Sequence, residues 1–221
     1  MSLALPPPEW RVESGLLDYP EALATMERRA AAIRVGTARE LVWLVEHPPL
    51  FTSGTSADPA ELTNPAGFPV HHAGRGGRFT YHGPGQRVGY LMLDLDARGR
   101  DIRHFVQSLE AWLIAALARL GVAARREPGR IGLWVGQGAD EAKIAAIGVR
   151  VKRWVTLHGF SVNVAPNLDH FGGIIPCGIS DFGVTSLEKL GNTASMADLD
   201  ASLKAEFAIF LANLSRSVKV A

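Results

Sequence analysis

Three strand-like segments, Arg130 to Val135, Lys143 to Val151 and Trp154 to Val164, follow one another with turn residues and no helix between them. Parallel neighbours need a long crossover, so this succession predicts an antiparallel meander. Two more strands are expected at Leu41 to Glu46 and Val88 to Leu95. From Asp101 to Leu120, Ile102, Phe105, Val106, Leu109, Trp112, Leu113, Leu117 and Leu120 recur at helical spacing, with Asp101 placed to cap the start and Gly121 the end. A second helix is expected from Pro20 to about Ile33, and a third from Met196 to Leu214 with Leu199, Leu203, Phe207, Phe210, Leu211 and Leu214 on one stripe. The long helix after Leu95 would link non-adjacent strands. The sum is an α+β fold, a mixed β-sheet with flanking helices.

No repeat, low-complexity tract or linker divides the 221 residues, which read as a single domain. With 47% apolar and 20% charged residues the composition is that of an ordinary globule. Lysine and arginine number 23 against 22 acids, so no bulk charge draws the chain to nucleic acid or an anionic membrane. The longest apolar run, Ala111 to Ala118, is far short of a membrane span, and Met1 to Pro8 lacks the apolar core of a signal peptide. A single cysteine forms no internal disulfide. A cytoplasmic protein is expected.

The segment Gly74 to Gln86, GRGGRFTYHGPGQ, holds five of the 23 glycines, and its backbone must approach something closely. No Gly-Lys-Ser/Thr closes it as in a Walker loop, and the dinucleotide patterns fail at Phe79 and Val88. The bland reading is a turn with Arg75 and Arg78 in solvent. The density of Tyr81, His82 and Gln86 beside the glycines favours the wall of a site.

Cys177 lies between Pro176 and Gly178, a constrained turn. It is either a small buried hydrophobe or a nucleophile, and a nucleophile needs activation to thiolate. Lys143 shares its side of a strand with Ala145, Ile147, Val149 and Val151, all apolar. There it either snorkels to water from an edge or is drawn into a pocket, where desolvation would suit it to move protons. His82 and His158 each precede a glycine. They are structural donors, or they flank one cleft and supply a rival Cys/His activation. No metal-binding histidine pattern and no G-x-S-x-G occurs.

Six segments in order, WLVEHPPLFTSG from Trp43, GRGGRFTYHGPGQRVGY from Gly74, KIAAIGVRV from Lys143, HGFSVNV from His158, IIPCGI from Ile174 and GVTSL from Gly183, span about two thirds of the chain. Together they resemble the lipoyl (octanoyl) transferases. The resemblance implies the α+β catalytic domain of biotin and lipoyl protein ligases, here a core at about 40–191 followed by the helix at 196–214. It implies Cys177 as carrier of an acyl thioester and Lys143 as its acid and base. It assigns substrate binding to Arg75, Gly76, Gly77, Arg78, Phe79, Thr80, Tyr81 and His82, to Ala146, Ile147 and Gly148, and to Gly159, Phe160 and Ser161. Gly74, Arg78, Phe160 and Ser161 depart from common members, which bears on the shape of the acyl pocket.

The activity so implied is transfer of octanoyl from octanoyl-acyl carrier protein to a lysine of lipoyl domains, in 2-oxoacid dehydrogenase acyltransferase subunits and the glycine cleavage H protein. No cofactor, metal, nucleic acid or membrane takes part. Two alternatives stand beside it: an ATP-dependent lipoate or biotin ligase of the same fold, which has no need of Cys177, and a non-catalytic binding module.

Overall fold

The computed structural model describes residues 6–174 and 183–216. In chain order the elements are β1 (Glu9–Leu16), α1 (Tyr19–Arg34), β2 (Leu41–Glu46), β3 (Leu50–Ser53), β4 (Val70–His72), β5 (Thr80–His82), β6 (Gln86–Met92), α2 (Ile102–Arg119), β7 (Arg125–Glu127), β8 (Arg130–Val135), β9 (Ala142–Lys152), β10 (Val155–Asn163), β11 (Gly183–Val184) and α3 (Met196–Arg216). The large sheet runs β1-β2-β6-β10-β9-β8-β7, with β11 beside the start of β9. β1 with β2 and β11 with β9 are parallel and the other neighbours antiparallel, so the sheet is mixed. A small sheet, β4-β3-β5, stands apart.

The meander appears as β8, β9 and β10, and α2 carries the chain from β6 in the middle of the sheet to β7 at its edge. Asp101 caps α2 by accepting the His104 amide at 2.8 Å, and Gly121, at φ 77°, follows its last turn. Ser195 and Asp198 cap each other's amides at the start of α3.

One face of the sheet meets α2 and α3. Leu91, Leu93, Phe160 and Val162 pack there with Phe105, Leu109, Trp112, Leu203 and Phe210. The other face meets α1, where Trp43, Tyr90, Val155 and Leu157 pack with Ala22, Met26 and Ala30. Phe51, Phe79, Tyr81 and Phe171 form a separate cluster under the small sheet.

Three expectations are corrected. The strand expected at Val88 to Leu95 ends at Met92 and begins at Gln86, because the Gly83 carbonyl, accepting the Gln86 amide, turns the chain directly into it. The glycine-dense segment contains a strand, β5, whose three residues pair with β3. Alternation along β9 does not reach Lys143: the register against β8 shifts there, and Ile144 and Ala145 both enter the helix-side core.

Candidate functional site

The slip in β9 aims Lys143 into a cavity of about 390 Å³. Room for its stem comes from Gly132 on β8, where an added Cβ would stand 2.5 Å from the lysine Cε and 2.6 Å from the Ala145 carbonyl oxygen. Gly132 sits at φ 114°, a conformation that side chains resist. Trp134 lies beneath the ammonium, with Nζ 5.4 Å from its ring centroid, and Arg130 lies 4.3 Å from the same ring.

The glycine loop forms the opposite wall. The amides of Gly54, Thr55 and Ser56 donate to the carbonyls of Arg78, Arg75 and Gly77, and the Gly76 amide donates to Val149 of β9 at 3.0 Å. A Cβ on Gly54 would lie 2.0 Å from the Gly77 oxygen, and one on Gly148 would lie 2.8 Å from Arg75 Cδ. Arg75 is 8% exposed, so the solvent-turn reading fails for it. Its guanidinium donates to the Thr52 carbonyl at 3.0 Å, the Thr52 hydroxyl at 2.8 Å and the Gly76 and Arg78 carbonyls. Arg78 pairs with Glu61.

His82 and His158 do come to this one cavity. His82 Nδ1 bonds Gln86 Oε1 at 2.7 Å, and the Gln86 amide donates to Asn163 Oδ1 at 2.9 Å. Burial, with His47 second, pushes His82 down to about 3. Burial first and the Arg75 guanidinium second push His158 down to about 4. Both rings are therefore neutral near pH 7. The fault in β10 that admits His158 is local: its φ is 61°, left-handed for a residue with a side chain. Leu157 consequently packs in the core against α1 while the next residue, His158, lines the cavity, whereas a Cβ on Gly159 would point at Leu91 and Phe160 packs on Trp112.

Of the residues singled out in the sequence, Lys143, Arg75 to Thr80, His82, Ala146 to Gly148 and Gly159 to Ser161 line this cavity. Tyr81 does not: it is buried beside Phe51 and Phe171, with its hydroxyl 2.7 Å from His170 Nδ1. Cys177 lies outside the described residues. Gln86, also singled out, lines it too, as do Tyr19, Thr52, Tyr90, Trp134 and Asn163, Gly129 from the β7–β8 turn, and Arg130 and Ile131 at the start of β8. Inward alternation on β6 was the signal available for Val88 and Tyr90, whereas nothing local marks Tyr19, the first residue of a helix. No group of three or more histidine, cysteine, aspartate or glutamate side chains is placed to hold a metal among the described residues.

The sequence profile of the family described as lipoyl protein ligase A/B catalytic domain matches residues 18–208. The chain is 61% identical over 211 residues to an octanoyltransferase of Rhizorhabdus wittichii, covering 96% of this chain and 95% of that protein. It is 61% identical over 215 residues to an octanoyltransferase of Sphingopyxis alaskensis, covering 97% and 99%. Among solved structures it is similar to a putative lipoate protein ligase from T. acidophilum with bound lipoic acid, at TM-score 0.73 and 16% identity over 93% of this chain and 86% of that one. It is also similar to lipoate-protein ligase A bound with ATP, at TM-score 0.69 and 16% identity over 92% and 86%. Those likenesses show the fold to be that of the lipoate ligase catalytic domain.

Proposed function

Because the chain belongs to the lipoyl protein ligase A/B catalytic-domain family and is an octanoyltransferase, we propose that it takes octanoyl from octanoyl-acyl carrier protein and delivers it, through Cys177, to a lysine of lipoyl domains in 2-oxoacid dehydrogenase acyltransferase subunits and the glycine cleavage H protein. The observation that carries this reading is the position of Lys143 in the wall of a cavity whose other wall is the glycine loop. An octanoyl tail buried there gains about 5 kcal/mol at ~0.8 kcal/mol per methylene.

In the first step the Cys177 thiolate attacks the donor thioester carbonyl, and the tetrahedral intermediate expels the pantetheine thiolate, which Lys143 protonates. In the second the acceptor amine attacks the acyl-enzyme, Lys143 accepts the amine proton, and Cys177 leaves as thiolate. One thioester exchanges for another and then becomes an amide, so the sequence runs downhill without nucleotide. His82 and His158, uncharged near neutral pH, are poor rivals as proton donors for the leaving thiolate.

Intact-mass measurement tests the scheme. Purified protein mixed with octanoyl-acyl carrier protein and no nucleotide should gain one octanoyl increment and lose it when a lipoyl domain is added, the domain gaining it on lysine. Transfer that requires ATP and leaves no increment on the protein would overturn it in favour of a ligase.

A further inference from the structure

Trp134 and Lys143 are cross-strand partners at the register slip between β8 and β9. The end of the lysine lies over Gly132, where an added Cβ would stand 3.1 Å from Nζ, and the ammonium comes to rest 5.4 Å from the Trp134 ring centroid. The ring has anchors of its own. Trp134 is 3% exposed, its indole N–H donates to the Arg130 carbonyl at 3.3 Å, and the Arg130 guanidinium packs on it at 4.3 Å. Glu141 at 2.7 Å and Glu127 at 3.6 Å match the charge of Arg130. The indole therefore offers its face to Lys143 as a fixed surface.

An aromatic face attracts an ammonium through its quadrupole and has nothing comparable to give a neutral amine, and burial strengthens the attraction. Lys143 passes between these two forms in the acid and base reading given above, on which this inference rests. Toward the donor, a Lys143 N–H bond breaks as the departing pantetheine sulfur gains the proton. Toward the acceptor, an N–H bond of the attacking amine breaks and a new one forms on Lys143. The ring face opposes the first transfer and assists the second.

We propose that Trp134 is a positioning residue which, through Lys143, favours the acceptor half of the reaction over the donor half. It holds Nζ in the cavity wall and draws the lysine back to its charged form as the amide is made. Gly132 belongs to the same device, because a side chain there would occupy the space in which the lysine meets the ring. Trp134 needs no contact with either substrate.

The test keeps the shape of the ring and weakens its face. Trp134, one of five tryptophans, is replaced at its own position by monofluoro- and trifluorotryptophan. Two single-turnover rates are then measured by intact mass: gain of octanoyl by the protein from octanoyl-acyl carrier protein, and its loss to a lipoyl domain. The ratio of the first rate to the second is expected to rise with each step of fluorination, by about fivefold for the trifluoro form. Transfer to the lipoyl domain slows while capture from the donor does not. Unchanged rates, or equal slowing of both steps as a merely structural ring would give, overturn the role of Trp134 and leave octanoyl transfer intact. Failure of the wild type to gain or pass on octanoyl overturns both.

Discussion

His158 combines left-handed backbone, burial and a depressed ionisation, and this combination has a consequence for stability. In the unfolded chain a histidine titrates near ~6.5, but in the fold His158 is held to about 4 and His82 to about 3, and His47 is lowered as well, in each case first by burial. The unfolded state therefore binds protons that the native state refuses. Stability is complete above about pH 6.5 and falls as pH drops toward 4, by about 1.4 kcal/mol per histidine per pH unit. Urea midpoints at pH 7, 6 and 5 measure this slope. His158→Asn, whose side chain tolerates the left-handed region, should flatten it by one proton; equal slopes would show that His158 titrates normally in the folded protein. At the proposed reacting centre, Cys177→Ser should abolish acyl transfer, since a hydroxyl has no usable anion near neutral pH. Lys143→Met should move iodoacetamide alkylation of Cys177, the one cysteine of the chain, to higher pH. An unmoved alkylation profile would remove Lys143 from that role.

Between elements, the glycine loop and β3 are held by backbone contact that leaves no room for a methyl group. Gly54→Ala would drive a Cβ into the Gly77 carbonyl at 2.0 Å, and because backbone must move, a loss of about 2 kcal/mol or more is expected together with impaired acyl transfer. Gly76 is different: its added Cβ meets the Val149 oxygen at 3.6 Å, ordinary contact, and its φ is not positive. Gly76→Ala should melt like the wild type, so any rise in KM for the donor reports blocked approach of substrate; a variant that melts early would assign the glycine to architecture. The density of glycines in this segment was legible in the sequence, and so was the wall it forms. Its internal strand was not, because Thr80 to His82 is too short to show alternation. β1 was missed for another reason: it is an edge strand with most residues exposed, so no apolar period marks it. The irregularities that aim Lys143 and His158 are single-residue slips in register and φ, invisible to any periodic reading.

Across the whole molecule, the large periodic elements were the legible part: all three helices and the meander occur where spacing placed them, to within a few residues. Contacts between distant segments were not legible. Trp112 of α2 stacks on Phe210 of α3 at 4.9 Å, meets Phe160 of β10 edge-on at 5.6 Å and Trp10 of β1 at 6.3 Å, and donates its indole N–H to the Leu203 carbonyl. Trp112→Ala should cost about 3–5 kcal/mol in a urea melt; a loss below 1 kcal/mol would mean that α2 and α3 are held chiefly by other contacts. Since α3 covers strand residues that precede it by as much as a hundred positions or more, a ribosome delivers the whole sheet before it delivers the helix that shields one face. Throughout that interval α2 alone covers this face, and the apolar surface that Leu199, Leu203, Phe207 and Phe210 will bury stays open to solvent or a chaperone, so the nascent chain is at its most aggregation-prone when its sheet is already complete.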